Sequence, residues 1–200
     1  MKIGVLALQG AVREHVRQIE SLGCEAVEVK SSGDLAGLNG LVLPGGESTT
    51  MRKLLDRYEL LEPIRQLAQK GIPMFGTCAG LILLAKEIVG YHEAHLGLMD
   101  VVVERNSFGR QIDSFEVEIA VQKISNDIPA VFIRAPHIVS VGPQVEILAE
   151  YDGRIVLAKE GQYLGCSFHP ELTEDNRIMR YFIDMVQDFN KTSLAKTNSI

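Results

Sequence analysis

The sequence has no apolar run long enough to span a bilayer; the longest, Leu81–Ala85, fits a buried helix instead. No signal-peptide cleavage region is present: Met1–Val5 leads straight into a strand-like run, so export is not expected. Cysteine is scarce. Cys24, Cys78 and Cys166 lie too far apart to suggest a disulfide framework or a zinc knuckle, which predicts reduced thiols in a cytoplasmic setting. Basic charge is short too: 20 Lys and Arg against 26 Asp and Glu give a formal charge of −6, with no basic stripe. That excludes nucleic acid as the main partner and disfavours an anionic membrane surface. There is no G-x-x-x-x-G-K-[ST] phosphate loop. His92 and His95 have no evident third ligand, so neither a metal nor a cofactor is predicted.

What remains is an ordinary globular composition, 46% hydrophobic and 23% charged over 200 residues. That supports one domain with a full core. With no repeat or linker visible, residues 1–189 are assigned to it, and the polar, aperiodic residues 190–200 to a disordered tail.

The first half alternates strand and helix patterns. Lys2–Leu8, Glu25–Lys30, Leu41–Leu43 and Pro73–Gly76 read as strands; Ala11–Leu22, Ser48–Lys70 and Ala79–Val89 read as helices. Gly23 stops the first helix. The second half is richer in strands: Asp100–Glu104, Phe115–Val121, Val131–Arg134, Glu146–Glu150, Ile155–Ala158 and Tyr163–Phe168. Tyr151-Asp152-Gly153-Arg154 reads as a hairpin turn. A last helix over Glu174–Phe189, capped by Thr173, closes the domain. The expected fold is α/β and three-layered: a mostly parallel central sheet, helices on both faces, and additional antiparallel strands.

Three segments carry chemistry. In Gly76-Thr77-Cys78-Ala79-Gly80 a buried strand runs into a sharp turn and an apolar helix runs out, the context of a nucleophile elbow. The glycines relieve crowding around a strained Cys78. The helix N-terminus favours its thiolate, and the Ala79 amide faces a developing oxyanion. An isolated cysteine at such a junction is usually core; here the glycines and both flanking elements favour a nucleophile.

The second segment is Phe168-His169-Pro170-Glu171, after a strand. Pro170 disfavours helical backbone at His169, and an extended stretch brings Glu171 to the same side as the imidazole. Glu171 then orients His169 as the third member of a triad. The third is Pro44-Gly45-Gly46-Glu47-Ser48, whose adjacent glycines permit a second oxyanion donor near Gly46. Arginines can pair the carboxylate of an amino-acid substrate, and Arg105 and Arg134 are candidates, but on their own residues each reads as a surface salt bridge.

With these segments in this order, the chain resembles the class I (triad) glutamine amidotransferases, over about residues 1 to 189. Within them it is most similar to the glutaminase subunits of pyridoxal 5′-phosphate synthases, through Gly4–His15, Leu43–Thr50, Val103–Glu116 and Phe132–Pro136. The resemblance implies a flavodoxin-like fold and hydrolysis of L-glutamine to L-glutamate and ammonia by Cys78, His169 and Glu171. It implies glutamine binding by Gly46, Glu47, Ser48, Arg105, Ile133 and Arg134, and no cofactor. It further implies delivery of ammonia to a (β/α)₈-barrel synthase subunit for vitamin B6 synthesis, with weak glutaminase activity until that subunit docks and completes the oxyanion hole. It also places His15 near the partner surface. Three other readings stand beside this one: a glutaminase for another biosynthetic synthase, a γ-glutamyl peptidase, and a binding module with a relict triad.

Overall fold

A computed structural model describes residues 1–108 and 114–197. The first half alternates strand and helix: β1 (Lys2–Leu6), α1 (Val12–Ser21), β2 (Glu25–Val29), β3 (Gly40–Leu43), α2 (Ser48–Arg57), α3 (Leu61–Gln69), β4 (Met74–Thr77) and α4 (Ala79–Leu84). The second half supplies β5 (Ala85–Ile88), β6 (Met99–Glu104), β7 (Ser114–Val121), β8 (Ser125–Ile133), β9 (His137–Val141), β10 (Glu146–Tyr151), β11 (Arg154–Glu160), β12 (Tyr163–Cys166) and α5 (Arg177–Thr197).

Ten strands form one sheet, ordered β2-β1-β3-β4-β12-β11-β9-β6-β5, with β10 also paired to β11. From β2 to β12 the pairings are parallel. From β12 to β6 they are antiparallel, and β5 joins β6 in parallel. β7 and β8 make a separate antiparallel ribbon.

Period-two alternation assigns side chains to two cores. Leu6, Leu41, Leu43 and Met74 join α2, α3 and α4 in one. Ile3, Val5, Val42 and Phe75 join Ile19 of α1 and Ile178, Phe182 and Val186 of α5 in the other. The result is the three-layer α/β arrangement. Each fully buried side chain of this kind contributes about 1.5–3 kcal/mol. None of the described helices is long and apolar enough to cross a membrane.

Several boundaries differ from the sequence reading. The helix expected over Ser48–Lys70 is two helices. Glu59, at φ 55°, turns the chain left-handed, while the Glu59 and Leu60 amides bond back to Asp56 and Leu55. That closure is the same one Gly23 makes after α1, here with glutamate in the glycine position. The helix expected over Ala79–Val89 stops at Leu84, because the Leu83 and Leu84 carbonyls accept from Leu96 and Leu98 and the chain continues as β5. β9 was not expected. The tail expected from Asn190 is instead helical as far as Thr197: the stretch contains no Pro or Gly to stop α5, and Thr192 Oγ1 bonds the Asp188 carbonyl. Residues 198–200 lie outside the described residues, as do 109–113 within the Val103–Glu116 segment. Thr173 does not cap α5, which begins at Arg177; its hydroxyl donates to the Pro170 carbonyl and accepts from the Asp175 amide. The Tyr151–Arg154 turn is a hairpin as expected, with Asp152 and Gly153 both at positive φ.

Candidate active site

β4 and β12 are parallel neighbours in register from Tyr163↔Met74 to Cys166↔Thr77, so their carboxyl ends deliver Cys78 and His169 side by side. Cys78 holds φ 51° and ψ −105°, a conformation that L-residues rarely adopt. Its surroundings enforce this. The Cys78 amide donates to the Cys166 carbonyl at 2.8 Å, and α4 starts at the next residue. The elbow is packed backbone on backbone: a Cβ on Gly76 would strike the Gly80 carbonyl, and one on Gly80 would strike the Leu43 carbonyl. A Cβ on Gly45 would strike the His169 ring and lie 3.4 Å from Cys78 Cβ, so this loop glycine abuts both groups.

His169 sits at φ −110°, ψ 82°, outside helical space as Pro170 requires. The link to Glu171 is not extended: Pro170–Leu172 is a single 3₁₀ turn, which places Glu171 Oε1 2.8 Å from His169 Nδ1. The expected contact is made by a tighter route. Burial disfavours charge on His169, but hydrogen bonds to Cys78 and Glu171, and their negative charges, overcome it and raise its pKa to about 10. Burial likewise works against the Glu171 carboxylate; the His169 bond, His15 and the His169 charge outweigh it and lower its pKa. An ionised carboxylate only accepts, so His169 Nδ1 carries the shared proton. Nε2 is then left for the sulfur.

Cys78 and His169 open on a cleft of about 360 Å³ that also takes Gly46, Glu47, Ser48, Arg105, Ile133 and Arg134. Glu171 is buried behind His169 rather than lining the cleft. The Ala79 side chain packs into the core at the start of α4. The cleft adds Ile82, Asn106 and Pro136, which the sequence reading missed. A second cleft, about 420 Å³, lies between α1 and the 171–176 loop and contains neither a cysteine nor a histidine.

Glu47 has two duties. It caps α2, accepting from the Thr49 and Thr50 amides at 3.0 and 2.7 Å, and it pairs Arg105 at 2.9 Å. Partial burial opposes its charge, but the Thr50 hydroxyl and these amides hold its pKa down at about 2. Its own amide donates to Gln9 Oε1 at 2.8 Å. Arg105 also contacts Thr49 Oγ1 and the Tyr91 hydroxyl, with its guanidinium over the Tyr91 ring. Sequence distance hides both Gln9 and Tyr91, which the sequence reading missed.

The other histidines and cysteines fall elsewhere. His137 bonds Ser107 Oγ at 2.6 Å and does not line the cleft. Cys24 and Cys166 are buried free thiols, and burial pushes the Cys166 thiol well above its ordinary range. His15, expected near a partner surface, is fully buried beside Glu171. Among the described residues, no His, Cys, Asp or Glu cluster of three could hold a metal ion.

The profile of the SNO glutamine amidotransferase family matches residues 5–188. The chain is 66% identical over 193 residues to the pyridoxal 5′-phosphate synthase subunit PdxT of Geobacillus thermodenitrificans, covering 96% of this chain and 99% of that protein. It is 58% identical over 187 residues to the PdxT of Bacillus velezensis, covering 94% and 95%. A crystal structure of a glutamine amidotransferase superposes with TM-score 0.88 at 48% identity, over 92% of this chain and 98% of that one. PurLQS from Thermotoga maritima shares the fold, with TM-score 0.70 at 19% identity over 92% and 97%.

Proposed function

The chain belongs to the SNO glutamine amidotransferase family, and from that premise we propose that it is the glutaminase subunit of a pyridoxal 5′-phosphate synthase. It hydrolyses L-glutamine and passes the ammonia to a barrel synthase subunit in the cytoplasm. The observation that carries the reading is the buried line from Cys78 through His169 to Glu171, with Cys78 and His169 facing a cleft that contains Arg105 and Arg134.

The Cys78 thiolate attacks the side-chain carbonyl carbon of glutamine, forming a C–S bond and an oxyanion. Backbone amides near Gly46 and Ala79 receive that oxyanion. The His169 imidazolium gives its Nε2 proton to the amide nitrogen as the C–N bond breaks, and ammonia leaves. His169 then takes a proton from water, whose oxygen attacks the thioester; the C–S bond breaks, releasing glutamate and restoring the thiolate. Glu171 keeps the proton on Nδ1 and stabilises the imidazolium. Arg105 and Arg134, with the Glu47–Ser48 loop, hold the amino-acid end of glutamine, and Ile133 forms the apolar wall.

The test is glutamate release from glutamine by the purified chain, with and without the pyridoxal phosphate synthase barrel subunit, using Cys78→Ala as the control. Stimulation by the barrel, abolished in Cys78→Ala, is the expected result. Equal high activity without the barrel would overturn the partner assignment. Full activity in Cys78→Ala would overturn the mechanism.

A further inference from the structure

Behind the triad, on the side away from the cleft, the structure holds a second histidine that the mechanism above does not use. His15 lies on α1 and is fully buried. Its Nε2 is 3.3 Å from Thr77 Oγ1 and 3.6 Å from Glu171 Oε1, the oxygen that accepts from His169. His15 Nδ1 and Glu171 Oε2 are both buried without a protein partner.

These contacts decide the tautomer. A proton on Nδ1 would bury an N–H with no acceptor and turn the Nε2 lone pair toward a carboxylate, and both are costly. A proton on Nε2 points a donor between Thr77 Oγ1 and Glu171 Oε1 and leaves only a lone pair unmatched. Burial lowers the His15 pKa, opposed by Glu171 and Glu14 and reinforced by His169, so the ring is neutral and acts through its N–H dipole. The titratable groups facing it are Glu171 and His169 on the turn after β12 and Glu14 on its own helix. The Cys166 thiol on β12 faces the same carboxylate, and β4 presents the uncharged Thr77.

One helical turn further along α1, Gln18 Nε2 donates to the carbonyls of Pro170 and Asp175 at 2.9 and 3.1 Å. α1 therefore meets the Glu171 turn twice: Gln18 is hydrogen-bonded to its backbone, and His15 Nε2 stands 3.6 Å from its carboxylate, close enough for charge–dipole attraction though beyond hydrogen-bond range.

We propose that His15 is a positioning residue for the triad: its Nε2–H, held between Thr77 and Glu171, keeps the Glu171 carboxylate ionised and aligned on His169. Glu171 is buried, so without that donor its neutral form gains ground and support for the imidazolium weakens. The inference rests on the reading of Cys78, His169 and Glu171 as a working triad.

Three substitutions separate positioning from packing. His15→Met fills the space without a donor. His15→Gln returns an amide N–H at the position of Nε2. His15→Asn is one methylene shorter and places its amide near Nδ1, out of reach of Glu171. The first readout is iodoacetamide alkylation of Cys78 against pH in the isolated chain, which needs no turnover. The acid limb moves up by about one pH unit in the Met and Asn variants and stays in place in Gln. The second is glutamate release with the barrel subunit. There kcat falls about tenfold in Met and Asn, the equivalent of the one-unit shift of the acid limb, while KM for glutamine holds and Gln recovers kcat. If Met does not fold, the Asn and Gln pair still decides. Wild-type acid limbs in all the folded variants, or equal loss in Asn and Gln, would overturn the proposal. A wild-type chain that releases no glutamate with the barrel present, yet shows the alkylation pattern, would instead overturn the glutaminase reading and leave the positioning role standing.

Discussion

Cys78→Gly should be more stable than Cys78→Ala, although both lack the nucleophile. Both variants lose the thiol and its bond to His169, so their difference isolates the backbone. At φ 51° and ψ −105° a residue with a Cβ is strained, at a cost of about 1–3 kcal/mol. Glycine is free of that strain but gives up about 0.5–1 kcal/mol to the greater freedom of its unfolded chain. The balance favours glycine by up to about 2.5 kcal/mol, or up to about 10 °C in melting temperature for a domain of this size. The assay is calorimetric melting of the two variants in one buffer, with urea denaturation as a check on the free energy. In ordinary backbone an Ala→Gly change destabilises, so the sign alone is diagnostic. A glycine variant that melts below the alanine variant would refute the claim that the fold stores strain at Cys78.

Arg105→Lys should raise KM for glutamine roughly tenfold with little change in kcat, because an ammonium cannot copy a guanidinium fork that bonds Glu47 and Thr49 and, on the proposed function, a substrate carboxylate; steady-state kinetics with the barrel subunit check it, and an unchanged KM refutes it. Glu171→Gln should cost about 2 kcal/mol near pH 6, the scale of a buried bond to a charged partner. The His169 pKa is raised from 6.5 to about 10, so its stabilisation is complete below about 6.5 and is lost as pH climbs through 10. The advantage of the wild type over Glu171→Gln therefore shrinks across that window. Glu171 is shifted down from 4.5, so the advantage also shrinks in acid as pH falls through its folded value. Urea titrations from pH 3 to 10 would show a plateau with two falling flanks; a flat difference would refute the assignment.

The elbow was legible because its requirements are contiguous: strand, turn, helix and glycines all fall within a short stretch around Cys78. His169 and Glu171 were legible as a pair, but the 3₁₀ turn between them was not, since Pro170 is compatible with either geometry. Ala85–Ile88 misled for a physical reason: the apolar run Leu81–Ala85 before it carries no periodicity to separate a buried helix from a buried strand, and the stop at Leu84 is set by amides from Leu96 and Leu98. His15 was placed only through the resemblance, and near a partner surface. Its meeting with Glu171 spans most of the chain, and one sequence offers no local sign of it.

The β7–β8 ribbon has a mechanical consequence. It is separate from the main sheet, yet the Val131 carbonyl accepts from the His169 amide and the Ile133 carbonyl faces the Cys78 sulfur. Its far turn is pinned to the neighbouring hairpin by the Gln122 amide on the Leu148 carbonyl and by the Lys123–Glu146 pair. The nine residues of β8, at about 3.3 Å each, make a strut of roughly 30 Å anchored at both ends. One ribbon therefore touches both Cys78 and His169 at one end and the β10–β11 hairpin at the other, so the two site residues share a single backbone support.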